Sequence, residues 1–270
     1  MQITEHKQGL TMKTAVIKLS GKSIDQLLAE EKLVPQIQKF LKQYDGLVIV
    51  HGAGNIISDW ATKLGCKSEF INGHRVTDDD MMDIVAAVQN GLVNAKIVSR
   101  LLAKKIKAAG YNGIDNDLFV AEYINTKLGF VGVPKLNSQT QWLKDLMKAK
   151  TIPVFASICR DAEGHLMNVN ADLFTMVLAE SIQADSVIFL SDVEGVKIYG
   201  ATQTHISESD IHHGIRNGEI KDGMIPKLQS SLNLIKKGVN KVWIGNDLHQ
   251  LTHSSKSKGT WVVSSSKVSA

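Results

Sequence analysis

Short apolar runs that end in a glycine-bearing or polar turn, and then give way to a helical pattern, recur along this chain. "TAVIKLSG" from Thr14, "GLVIVHGAG" from Gly46, "DSVIFLSDVEGV" from Asp185 and "KVWIGN" from Lys241 are long enough for strands and too short for buried helices. Between them, "IDQLLAEEKLVPQIQKFLKQY", "NIISDWATKLG", "ADLFTMVLAESIQA" and "PKLQSSLNLIKKG" carry apolar residues at helical spacing. This alternation predicts an α/β protein with a mainly parallel, doubly wound sheet and helices on both faces. "TDDDMMDIVAAVQNGLVNAKIVSRLLAKKIKAAG" predicts one long helix, started by Thr77 and three acidic residues and stopped by Gly110. In the middle, "AEYIN" and "LGFVGVPKLN" predict hairpin strands attached to the main sheet. The helix "SQTQWLKDLMKAK", the strand "IPVFASICRD" and the turn-bearing "AEGHLMNVNAD" follow them; later come a helical "SDIHHGIRNG" and a last strand "GTWVVS".

A chain of 270 residues with 43% hydrophobic content can bury a large core. Cys66 and Cys159 lie in no metal or redox motif, which argues against structural zinc and for a reducing compartment. No apolar run approaches the roughly 20 residues that span a bilayer, and "MQITEHKQGLTM" lacks the core of a signal peptide, so a soluble cytoplasmic protein with no membrane contact is expected. The net charge is +4, but basic residues are scattered among 27 acidic ones. The densest runs, "AKKIKAAG" and "IKKGVNK", read as solvated helix faces, and nucleic acid is not expected as a partner. No flexible linker divides the chain. Residues 1–12 read as an N-terminal arm and 13–270 as a single domain with two lobes, 13–165 and 166–270.

The candidate site residues stand where strands end. After "LVIV", the turn Gly52-Ala53-Gly54 runs into a helix; a dinucleotide fingerprint needs a glycine where Ile57 stands, and no Walker-type Gly-Lys-Ser/Thr occurs. Two readings remain, an anion site made by free backbone N–H groups or a plain tight turn. Lys18 interrupts an apolar strand just before Ser20 and Gly21. It is either an edge residue with its amine in solvent or an ammonium aimed at the same carboxyl edge of the sheet. Asn168, Asn170 and Asp172 alternate ahead of a helix and share one side of an extended chain, with helix capping as the plain alternative. Asp192 ends another strand. Lys227 falls at a helix start, where the dipole repels a cation unless an anion is present. Arg75, in "NGHRVTDDD", is placed for a surface salt bridge or for bidentate capture of a carboxylate. The nine histidines show no metal-ligand spacing and there is no Gly-x-Ser-x-Gly elbow, so neither metal hydrolysis nor acyl-enzyme chemistry has a candidate.

In this order, "KLSG", "HGAG", "NGHRVT", "LGFVG", "MNVNAD", "LSDVEGV" and "DGMIPK" resemble the amino acid kinase superfamily, from about Thr14 to Thr260. The resemblance is closest to its acylglutamate kinases. It implies a three-layer αβα sandwich of the carbamate kinase type, with an acyl-amino-acid lobe followed by a nucleotide lobe. It also implies ATP-dependent phosphorylation of the side-chain carboxylate of N-acetyl-L-glutamate in arginine biosynthesis. N-succinyl-glutamate, a carrier-linked aminoadipate, or a non-catalytic sensor of nucleotide or amino acid are the alternatives.

By the same resemblance, Lys18 and Lys227 stabilise the transferring phosphoryl group and Asp172 organises them. Gly52, Ala53, Gly54, Arg75, Asn168 and Asn170 bind the amino acid substrate. Lys18, Ser20, Gly21, Asp192, Val193, Glu194, Gly195, Val196, Lys197, Glu219, Ile220, Lys221, Gly223 and Met224 border the nucleotide. Mg²⁺ is held mainly by the phosphates, with no protein metal ligands, and the chain forms a homodimer partly through the long helix after Arg75. Ala53 stands where the family usually has glycine, which predicts an ordinary φ there. The short arm and "SSKSKGTW" in place of an acidic signature speak against arginine feedback and a hexameric ring.

Overall fold

A computed structural model describes residues 12–29, 33–221, 223–252 and 259–264. The expected arm (but for Met12) and the Ser254–Lys258 part of the C-terminal signature lie outside the described residues. The chain runs through β1 (Thr14–Leu19), α1 (Gly21–Ala29), α2 (Leu33–Phe40), β2 (Gly46–His51) and α3 (Gly54–Lys63). A small hairpin, β3 (Phe70–Ile71) and β4 (His74–Arg75), leads to α4 (Asp79–Val85), a π-helical stretch (Ala86–Asn94) and α5 (Ala95–Ala103). Next come β5 (Ala108–Asn112), β6 (Phe119–Tyr123), β7 (Val131–Leu136), α6 (Gln141–Lys148), β8 (Ile152–Ala156), β9 (Ile158–Arg160), β10 (Leu166–Val169) and α7 (Ala171–Ser181). The described chain continues through β11 (Ser186–Leu190), the hairpin β12 (Lys197–Ile198) and β13 (Ala201–Thr202), β14 (His205–Ile206) and α8 (Glu208–Arg216). It ends with α9 (Met224–Lys236), β15 (Lys241–Gly245), α10 (His249–Thr252) and β16 (Thr260–Val263).

Eight strands form one sheet in the order β14-β16-β15-β11-β1-β2-β8-β5, parallel throughout except where β16 pairs antiparallel with β15. The strands' alternation explains the layers. In β1 and β2, Ile17, Leu47 and Ile49 enter one apolar cluster with α1 to α5, while Val16, Val48 and Val50 enter another with α6, α7 and α9. This is the expected sandwich, built as one sheet with two buried faces.

Four expectations are corrected. The long helix ends at Ala103, not Gly110: Lys105 turns left-handed at φ 60°, and Ala108–Asn112 pairs in parallel with β8. A ladder partner at the sheet edge outweighs the local helical pattern, so "AKKIKAAG" is a helix end, a turn and a strand, not a solvated helix face. The cap is Asp78, whose side chain accepts the Met81 N–H, while Thr77 is wholly buried. The hairpin strands β6 and β7 do not join the main sheet; with β9 and β10 they close a separate four-stranded barrel. The strand read as "IPVFASICRD" is broken at Ser157, where the chain leaves the main sheet as β8 and enters the barrel as β9.

Two residues at these junctions carry stability predictions. Gly129 holds φ at 69° against Thr77, and a Cβ there would lie 2.1 Å from the Thr77 carbonyl oxygen. Gly129→Ala is therefore expected to lower unfolding free energy by roughly 2 kcal/mol or more, read from urea unfolding. His51, at the end of β2, is fully buried, and burial pushes its imidazole down to about 4 despite the opposing bond to Gly52. Between roughly pH 6.5 and 4 the unfolded chain binds this proton and the folded chain does not. Stability is then lost as pH falls through that window, by on the order of 3 kcal/mol, and this group contributes no pH dependence above it. Urea midpoints for the wild type and a His51→Gln variant across that range check the sign.

Candidate functional site

Parallel pairing brings the C-terminal ends of β1, β2 and β11 to one edge of the sheet, the edge at which such sheets bind ligands. α1 begins directly after β1 and α3 directly after the β2 turn, while α7 arrives from the barrel strand β10. Their starts are in close contact: a Cβ on Gly52 would stand 3.5 Å from the Ala171 methyl, and one on Gly21 3.7 Å from the Asn55 amide. Three positive helix ends are thereby pooled around one cleft.

That cleft, about 270 Å³, is lined by Lys18, Gly21, Gly52, Ala53, Gly54, Arg75, Asn168, Asn170 and Asp172. A second, about 290 Å³, shares His74, Asn170 and Asp172 with it and continues past Phe189, Gly223 and Lys227. Asp172 stands where the two meet. Its Oδ1 lies 2.8 Å from Lys18 Nζ and its Oδ2 3.6 Å from Lys227 Nζ. Burial works to raise this carboxyl, but the two ammonium groups outweigh it and hold it below the ordinary carboxylate value. Lys227 also reaches Ser191 Oγ at 3.4 Å and lies 5.9 Å from the centre of the Phe189 ring, which together with Asp172 offsets its unfavourable place in the first turn of α9.

Arg75 is buried. Its guanidinium donates to Ser68 Oγ at 2.7 Å, Gly54 O at 2.8 Å and Ser58 Oγ at 2.9 Å, and sits over the Phe70 ring. Among the described residues it forms no ion pair with a carboxylate, so the surface salt bridge is not what places it. Burial lowers its affinity for its proton, the direction expected of a sheltered cation. Asn168 donates to Thr77 Oγ1 at 3.1 Å, and Asn170 spends its oxygen capping α7 through the Asp172 and Leu173 amides. Ala53 takes φ −152°, the ordinary sign expected of a non-glycine residue.

The remaining nucleotide candidates are less gathered. Ser20 is buried and its Oγ accepts the Ser23 amide at the start of α1. Asp192 to Lys197 and Glu219 to Lys221 line neither cleft, and neither does Met224. Val196 and Ile220 are buried apolar side chains, Gly195 is pressed against Thr202 and Thr260, and Glu219 accepts the Tyr199 amide. Residues that sequence reasoning missed include His74, which borders both clefts, and the buried pair Gln89 and Ser157, whose side chains meet at 2.9 Å in the first. Gln89 did carry a signal, being polar on the apolar face between Val85 and Val93. Asp161, Glu163 and His165 do come together at the β9–β10 turn. Asp161 is already bonded there by two amides, the His165 ring and Tyr123, which makes the group a turn lock.

Among the described residues no helix is long and apolar enough to cross a membrane. The chain is 35% identical, over 85% of its length and 81% of the relative's, to an acetylglutamate kinase of Clostridium acetobutylicum. Its fold is similar to the crystal structure of smu.665 from Streptococcus mutans, with a TM-score of 0.78 at 27% identity, covering 93% of this chain and 98% of that one. It is also similar to carbamate kinase from Giardia, with a TM-score of 0.65 at 15% identity over 94% and 99% of the two chains. Residues 13–246 match the amino acid kinase family, and the chain belongs to it.

Proposed function

We propose that the protein transfers the γ-phosphoryl group of ATP to the side-chain carboxylate of N-acetyl-L-glutamate, giving the acyl phosphate and ADP in arginine biosynthesis. The observation that carries this reading is the Lys18–Asp172–Lys227 array at the junction of two clefts. A carboxylate nucleophile is already ionised at neutral pH, so no general base is needed. The barrier is repulsion between anions and the charge spread over the transferring group, and preorganised cations and N–H donors lower it. Lys18, Lys227 and the helix starts beside Gly21 and Gly54 supply both.

The first cleft would take the acyl amino acid, with Arg75 on its α-carboxylate, Asn168 and the Asn170 amide group beside it, and the Gly52-Ala53-Gly54 turn around the acceptor carboxylate. The second would take the phosphates beside Gly223 and Lys227. Segments 192–197 and 219–221, with Met224, would border the rest of the nucleotide, Val196 and Ile220 through their backbone. Asp172 is the one carboxylate lining either cleft among the described residues, and both its oxygens face ammonium groups. Such a donor set suits Mg²⁺ held by phosphate oxygens and water rather than by a protein cage. A cytoplasmic homodimer completes the proposal, supported by an exposed groove on α5 lined by Val98, Leu102 and Ala103 that a second copy would cover.

Trapping the product as its hydroxamate tests the reaction, with N-acetyl- and N-succinyl-glutamate assayed in parallel. Turnover of the acetyl substrate is expected; ATP consumption with neither would overturn the reading. Lys227→Ala is expected to lower kcat by roughly 10² to 10³. Arg75→Lys, which keeps the charge and loses the fork, is expected to raise KM for the amino acid more than it lowers kcat.

A further inference from the structure

The turn after β2 is held from behind by two donors. Arg75 Nη2 donates to the Gly54 carbonyl at 2.8 Å, and the His51 ring donates from Nδ1 to the Gly52 carbonyl at 3.0 Å. Since a carbonyl only accepts, the proton is on Nδ1. The other ring nitrogen, Nε2, meets Asn94 Nδ2 at 3.0 Å, and the same amide donates to the Val154 carbonyl at 2.9 Å. Val154 requires a donor there, which fixes the orientation of the Asn94 amide and leaves Nε2 as an acceptor. His51 is thus locked as one neutral tautomer inside the core.

Asn94 is the last residue of the π-helical stretch, and Gly110 lies against it: a Cβ on Gly110 would stand 2.1 Å from Asn94 Oδ1. So Gly110, which the sequence presents as a helix stop, leaves room for this amide. A trans peptide points its C=O and N–H in opposite directions. With the Gly52 oxygen drawn back to His51, the Ala53 N–H is turned the other way, and neither it nor the Gly54 N–H has an acceptor among the described residues.

We infer that His51 is a positioning residue: held by Asn94, it fixes the Gly52–Ala53 peptide so that the Ala53 N–H faces the reacting carboxylate or phosphoryl oxygen. The inference rests on the kinase reading and assigns the aim of its turn to a side chain that touches no substrate. π-Helical turns often occur at functional sites, and this one sends Gln89 to Ser157 in the cleft and Asn94 to His51 behind it.

The experiment compares full-length wild type with His51→Leu, which removes the donor, His51→Asn, whose amide nitrogen can take the place of Nδ1, and Gly110→Ala, remote from the cleft. His51→Leu is expected to lose roughly 10²-fold in kcat with the KM for ATP unchanged, and His51→Asn to recover most of it. Equal losses in the two His51 variants, or no loss in either, overturn the inference. ¹⁵N NMR gives a readout independent of turnover. The wild-type ring is expected to stay in the Nδ1–H form from pH 5 to 8, since burial pushes its pKa down to about 4. The Ala53 amide is expected to shift with inorganic phosphate in the wild type and His51→Asn, but not in His51→Leu, and Gly110→Ala to mix the tautomers. A ring that titrates in that range, or an Ala53 response indifferent to His51, refutes the positioning role. If the wild type makes no acyl phosphate, the kinase reading fails, while the ring and amide signals still decide this one.

Discussion

Lys18 belongs to the first strand of the chain and Lys227 to its last long helix, and both would repel each other at the distances that bring them to Asp172 were that carboxylate absent. Much of the architecture serves to make this three-body contact. Parallel pairing of β1 with β11 brings the ends of these two strands level. Asp172 comes from neither strand. It is delivered by α7, which starts at the end of the barrel strand β10, and its carboxylate is also favoured there by the helix dipole. A central charge of the opposite sign thus lets two cations be held close together at the junction of the two clefts.

The barrel has a comparable purpose. Thr77 bridges to Gly129, accepts the Asn168 amide and bonds the carbonyl of Arg75, so the loop that carries the arginine is tied to the strands that carry Asn168. Strand β8 continues into the barrel as β9 through Ser157, and Gln89 holds that crossing from the π-helical side. The cleft is therefore walled by two sheets sharing one continuous piece of chain, which limits how far they can shift independently.

Much of this was legible in the sequence, because a strand buried on both faces rarely carries a charged residue. Lys18 stood out in "TAVIKLSG" for that reason, and Lys227 because a helix start repels it. The Arg75 alternatives could not be separated without knowing which elements cover it. The barrel was missed because β6 and β7 have the same composition as sheet strands, and sheet membership depends on distant partners. The end of the long helix was missed for a related reason: "AKKIKAAG" continues a helical pattern, and only the exposed edge of β8 makes a strand of its last residues. The π-helical stretch shifts the phase between Gln89 and Asn94, so a reading in steps of 3.6 residues that puts Gln89 on the inner face turns Asn94 away from it.

Arg75 has one further consequence. Its charge is sheltered from water, only part of its set of N–H donors goes to a carbonyl and two serines, and no carboxylate of the described chain pairs with it. An anion that met it from outside would complete an interior electrostatic arrangement as much as occupy a surface. For such an anion, affinity and fold stability would be two measures of a single quantity, because a ligand that binds only the folded chain stabilises it.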